Sequence, residues 1–153
     1  FYLAVYFAIK NKSSIFAADM KKVLAFIEQN KDGFYSVYTN EDFPFGFFGE
    51  GDTAQEAIDD FKAVYAAMKE NYEQDHNTRI EDVEFVFKYD MHSFLSAYRG
   101  ILTLAGLQRL TGISQQQLSQ YLNGTRHASP KTAERMQQSI QAFASQLQNV
   151  QFV

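Results

Sequence analysis

The sequence predicts an α+β fold: a βββαβ half over residues 20–90, followed by an all-α half over residues 91–153. Three observations predict it. Up to residue 90 the apolar residues fall into short β-branched and aromatic runs around one long stretch of helical period, whereas beyond residue 90 every apolar run has helical spacing. The charge changes at the same place: residues 1–90 carry 9 Lys/Arg and 17 Asp/Glu, net −8, while residues 91–153 carry 5 Lys/Arg and the single acid Glu134, net +4. Finally, 153 residues that are 46% hydrophobic and 16% aromatic suit one average domain or two small ones with a real core. Cys is absent, so disulfide frameworks and thiolate metal sites are excluded, as suits a reducing cytoplasm.

Residues 1–19 are expected to be a leader or over-extended start outside the fold. Phe1 to Ile9 is apolar, but nine residues are too few for a bilayer, which needs about twenty. No basic segment precedes it, as a signal peptide would require. Met20-Lys21-Lys22 reads as a natural start, and no membrane partner is expected.

The first strand follows from Val23, where Val23, Ala25 and Ile27 interleave with Leu24 and Phe26, a run expected to be covered on both faces. Lys31-Asp32-Gly33 is a hairpin signal, because Asp-Gly accepts positive φ. Phe34 to Tyr38 is the second strand, and Phe47 to Glu50, after a loop holding Pro44, is a short third. Thr53 and Glu56 have capping-box spacing, with Asp52 adding negative charge at the helix start. The helix continues through Ile58, Phe61, Val64, Tyr65 and Met68 and should end near Gln74. Glu84 to Tyr89 alternates as a fourth strand, and one sheet backed by one helix is the economical packing.

Asp90 is the expected N-cap of a helix from Met91 to Gly100, with Phe94, Leu95 and Tyr98 inward. Thr103 caps the next, whose Leu104, Leu107 and Leu110 form one apolar stripe. Thr111-Gly112-Ile113 breaks it: glycine supplies the turn, and Ile113 plugs two crossing helices. Ser114 caps a further helix with Leu118 and Leu122 inward and Gln115, Gln116, Gln117, Ser119 and Gln120 outward or at its N-terminal end. Ser129 caps the last helix with Pro130 in its first position, and Ala133, Met136, Ile140, Phe143 and Leu147 repeat along it.

The stretch Leu104 to Gly124, with the exit Asn123-Gly124, Arg126 and Ser129-Pro130-Lys131-Thr132, resembles the helix-turn-helix of the phage-repressor (Cro/C1, or XRE) family. That resemblance implies that the second helix enters the major groove of double-stranded DNA. Glutamine both donates and accepts, matching the adenine N6/N7 edge. Gln115, Gln116 and Gln120 are the expected base contacts; Gln117 and Ser119 reach a base or a phosphate; Asn123, Arg126 and Lys131 are expected phosphate clamps. Asn123 has a second reading as a helix C-cap, and Lys131 as a first-turn residue. Where the family often has a small residue this chain has Gln108, which alters helix packing, and Leu104 replaces a polar contact residue. With so few basic residues a monomer should bind weakly, so a homodimer on an inverted-repeat operator is expected.

The acidic half, through Asp32-Gly33-Phe34-Tyr35, Pro44 and Gly49-Glu50-Gly51-Asp52-Thr53-Ala54-Gln55-Glu56-Ala57-Ile58, resembles the N-terminal domain of HicB-type antitoxins, a degenerate ribonuclease-H-like fold. The loop reads Asn40 to Gly51 as NEDFPFGFFGEG, without the family's Pro-Gly-Cys. The resemblance implies a protein-binding domain covering a small basic HicA-type toxin, for which a net −8 half is the electrostatic complement. An exposed edge strand could also serve assembly.

Catalysis is not expected. A ribonuclease-H-type nuclease needs carboxylates converging on two metals about 4 Å apart, whereas Glu28, Asp32, Glu41, Asp42, Glu50 and Asp52 fall mostly at turns and strand ends. His76, His92 and His127 lie far apart, and neither a nucleophile elbow nor a phosphate loop is present. The expectation is a cytoplasmic repressor without metal or cofactor, the autoregulating antitoxin of a HicAB-like pair. The alternative is a stand-alone XRE-type regulator whose N-terminal domain serves oligomerisation or another protein.

Overall fold

The computed structural model describes residues 20–153, so the expectation for residues 1–19 lies outside the described residues. The elements run β1 (Lys21–Gln29), β2 (Tyr35–Tyr38), β3 (Gly49–Gly51), α1 (Ala54–His76), β4 (Val83–Tyr89), α2 (Met91–Tyr98), α3 (Leu104–Thr111), α4 (Gln115–Leu122) and α5 (Pro130–Gln148). This is an α+β chain with a small N-terminal sheet and a helical second half.

The sheet order is β3-β2-β1-β4. β1 pairs antiparallel with β2, Phe26 opposite Tyr38, and parallel with β4, Leu24 opposite Val86. The β1–β2 turn is drawn tight by Asn30, whose side-chain oxygen accepts from the N–H groups of Asp32 and Phe34, both at 3.0 Å. Gly33 there has φ +93°, the conformation that Asp-Gly signals. β2 begins at Tyr35 rather than Phe34, which is half exposed at the hairpin.

β1 corrects one expectation. Val23, Ala25 and Ile27 are fully buried, but Leu24 is 41% exposed. α1 covers only the face carrying Ala25, Ile27, Tyr35, Val37 and the aromatic residues of β4. An apolar run looks the same whether one face or two are covered; the number of layers decides, and a single helix supplies only one. On the open face Phe26 and Tyr38 pack together at 5.7 Å between ring centroids, and the Tyr38 hydroxyl donates to Glu28 at 2.6 Å.

The third strand is also shifted, to Gly49–Gly51 rather than Phe47 to Glu50. Phe47 is drawn inward instead, 5.0 Å from the Phe61 ring. Phe43 and Phe45 accompany it, packing on Tyr65 at 5.6 and 6.0 Å, so the loop closes the end of the core. β3 then lies against α1: a methyl group on Gly49 would collide with the backbone of Ala57 and Phe61. The helix opens with the expected capping box, Thr53 Oγ1 accepting from Glu56 N–H at 3.2 Å and the Glu56 carboxylate from Thr53 N–H at 3.0 Å. It ends at His76, two residues past Gln74, with Asn77 in the left-handed conformation as C-cap.

α2 joins the halves. Asp90 caps it, accepting from Ser93 N–H at 2.8 Å. Ser93 is fully buried, and its hydroxyl accepts from the backbone N–H of Gln29 on β1 at 2.8 Å while donating to Asp90 at 3.0 Å. Leu95 faces the helical core as expected, Phe94 is half-buried, and Tyr98, expected inward, is 37% exposed, edge-on to Tyr89 and tilted against Phe94. That core consists of Leu95, Leu107, Ile113, Leu118, Tyr121 and Met136.

Candidate nucleic-acid interface

The interface is built from α3, the turn, α4 and the loop to α5. Thr103 caps α3, accepting from Gly106 N–H at 3.0 Å. Gly112 ends it at φ +68°, its N–H donating to Gln108 O at 2.8 Å. Ile113 is buried as the plug, and its N–H donates to Thr111 Oγ1 at 3.1 Å. Thr111 in turn donates its hydroxyl to Leu107 O at 2.7 Å, and its carbonyl accepts from Arg135 Nε of α5 at 2.6 Å. The turn therefore has its polar groups occupied within a buried setting, which holds the angle between α3 and α4.

Ser114 caps α4, accepting from Gln117 N–H at 3.2 Å. A second acceptor reaches the same end: Gln108 Oε1 accepts from Gln115 N–H at 3.3 Å. Sequence reasoning assigned Gln108 only an effect on packing angle; its bridge to α4 depends on the crossing of two helices and has no local signal. On the inner side Leu118 is fully buried and Tyr121 is 3% exposed. Tyr121 takes the deep position expected of Leu122, which is half-buried; the larger ring reaches the core from a place one residue round the helix.

Gln116 and Gln120 point opposite the mean direction of Leu118, Tyr121 and Leu122, so they sit at the centre of the outward face. Gln115 and Gln116 are exposed, and Gln120 is half-buried beneath the exit loop. Gln117 is half-buried with its amide oxygen 3.4 Å from the Ser114 hydroxyl. Ser119 accepts from Asn123 Nδ2 at 3.4 Å. Asn123 also ends α4 through its backbone N–H to Ser119 O at 2.9 Å, so it does serve as the C-cap.

The exit loop folds back on α4, where Gln120 O accepts from the N–H groups of Thr125 at 3.0 Å and Arg126 at 3.3 Å. Arg126 and Lys131 are exposed, Lys131 in the first turn of α5 behind the Ser129 cap and Pro130. Behind the loop His92 Nδ1 lies 2.7 Å from Leu122 O, tying α2 to the end of α4. A cleft of about 740 Å³ separates the β1–β2 turn from the exit loop and brings Lys31 to the same rim as Arg126 and His127. The acidic half thus contributes Lys31 to a cleft that Arg126 of the basic half also lines.

Among the described residues no three of His, Asp and Glu come together as metal ligands, and no helix is long and apolar enough to cross a membrane.

Residues 97–140 match the helix-turn-helix family model, a span containing α3, the turn, α4, the exit loop and the first half of α5. The chain therefore carries a helix-turn-helix, the DNA-binding element of transcription regulators, on a backbone whose caps and plug are those described above. No curated protein and no solved structure matches the chain at a significant level.

Proposed function

We propose that this protein is a sequence-specific transcriptional repressor without catalytic activity. It reads an inverted-repeat operator through Gln115, Gln116 and Gln120, with Arg126, Lys131 and Asn123 on the phosphates. The observation that carries this reading is the outward glutamine face of α4, held at both ends by the Ser114 and Gln108 acceptors and by the folded-back exit loop. Amide side chains there can pair bidentately with adenine, and Gln117 and Ser119 are assigned to a base or a phosphate. Asn123, already bonded through its side chain to Ser119, contributes through the loop backbone it positions.

The finer reading is that the protein is a HicB-like antitoxin acting in the cytoplasm on its own operon. The β-β-β-α-β order, the Asp32-Gly33 hairpin and the capped helix after Gly51-Asp52-Thr53 support it, as does the acidity that suits a small basic toxin. As a stand-alone regulator the protein would use the same α4 but bind no such toxin.

Selection of bound duplexes from a random pool by the purified chain tests the first part: the expected outcome is an enriched inverted repeat containing adenine steps. Co-purification with the product of a neighbouring short basic reading frame tests the second, and a neighbour of another kind would favour the stand-alone regulator.

A further inference from the structure

We infer that the β1–β2 turn belongs to the DNA interface: Lys31, with Arg126 in the same cleft, holds a backbone phosphate next to the bases read by α4. The inference rests on the proposed reading by α4 and adds to it an anchor from the acidic half. Lys31 is exposed and makes no ion pair among the described residues. It lines the cleft together with Arg126 and His127. Asp90 is the one acid lining that cleft, and it already accepts from the Ser93 N–H at 2.8 Å and the Ser93 hydroxyl at 3.0 Å.

Two adjacent residues of α2 fix the turn relative to α4. Ser93 takes the N–H of Gln29, the last residue of β1, at 2.8 Å, and His92 donates through Nδ1 to the carbonyl of Leu122, the last residue of α4, at 2.7 Å. The turn is closed on itself by the two bonds to Asn30 and by Gln29 Nε2 donating to Gly33 O at 2.9 Å. Lys31 is therefore presented beside the exit loop in a set register. Charge then chooses the ligand. The helical half has five basic residues, and Arg135 is held on the carbonyl of Thr111. A DNA strand offers a phosphate about every 3.4 Å of axis, so a backbone held by Arg126 offers a neighbouring one to a second cation. The lysine ammonium meets it as a point charge and reads no base. A basic protein partner would be repelled by the same pair of cations.

The test is affinity against salt for the full chain, on the selected operator and on a scrambled duplex. Lys31→Ala should weaken both duplexes alike and flatten the salt slope by about one. Its deficit should shrink about 3.5-fold between 50 and 200 mM salt, as expected for one lost phosphate. Lys31→Arg should keep the wild-type slope. Lys88→Ala removes the same charge from an exposed lysine that does not line the cleft, and it should leave the slope unchanged. Ethylation of operator phosphates should interfere with wild type at a position where it no longer affects Lys31→Ala. A wild-type slope in Lys31→Ala, or equal flattening in Lys88→Ala, overturns the inference. If Arg126→Ala and Gln116→Ala still behave as phosphate and base contacts, the reading by α4 survives that failure. A wild-type chain that prefers no sequence sinks the reading by α4, and this anchor with it.

Discussion

The buried hydroxyl of Ser93 on α2 accepts the backbone N–H of Gln29 on β1 at 2.8 Å, joining the sheet to the helical half through one polar contact. The same hydroxyl donates to the Asp90 cap at 3.0 Å, so strand, cap and helix share a single oxygen. Replacing it by Ser93→Ala leaves the half-buried Gln29 N–H without this partner. The expected cost is about 1–3 kcal/mol, read as a lower urea midpoint at unchanged slope. A variant as stable as wild type would show that the contact joins the halves without holding them.

Gly49 faces a harder limit, because α1 backbone occupies the space its Cβ would need. Gly49→Ala should lose about 1–3 kcal/mol or more, the range for overpacking a well-filled site, whereas Gly46→Ala, with open space around it, should be close to neutral. Thermal denaturation of the two variants side by side checks the contrast.

Gly112 tests the turn between α3 and α4. At φ +68°, with Arg135 close by, an alanine there should cost about 1–2 kcal/mol from the left-handed backbone alone. The Arg135 guanidinium would also have to shift from its bond to Thr111 O, changing the angle at which α4 is presented. DNA affinity should therefore fall even at temperatures where Gly112→Ala is fully folded, and unchanged affinity would mean that the turn tolerates the methyl.

Alkaline pH bears on Tyr89. Its burial, with Tyr98 charge repulsion and hydrogen bonding second, pushes its pKa well above the ordinary tyrosine value of about 10. The neutral phenol is thus favoured in the fold. Its contribution is complete below the unfolded value of about 10 and is lost as pH rises from there toward the higher folded value. Stability should fall more steeply above that pH in wild type than in Tyr89→Phe, as followed by urea unfolding at stepped pH.

Local signals carried most of the helix starts. Thr53 with Glu56, Asp90, Thr103, Ser114 and Ser129 all cap where their side chains and spacing suggested, because a cap is decided within four residues. The glutamine face of α4 was legible for the same reason. The features missed depend on partners far away in sequence. Whether Leu24 is covered depends on how many layers form, and Tyr121 outranks Leu122 only once α2 and α3 pack against α4. Ser93 gains its role only from β1 beside it, and Gln108 gains its role from Gln115 across the turn. Residue-level signals read elements well and read contacts between elements poorly.

The proposed function assigns Gln116, exposed at the centre of α4, to a base edge and Arg126, exposed in the exit loop, to a phosphate. The most direct measurement is affinity as a function of salt for wild type, Gln116→Ala and Arg126→Ala, on the selected operator and on a scrambled duplex. Gln116→Ala should lose about 1–3 kcal/mol on the operator and nothing on the scrambled site, with the salt slope unchanged. Arg126→Ala should weaken both duplexes alike and flatten the slope by about one. If Gln116→Ala binds the operator as tightly as wild type and Arg126→Ala keeps the full slope, α4 is not the reading helix.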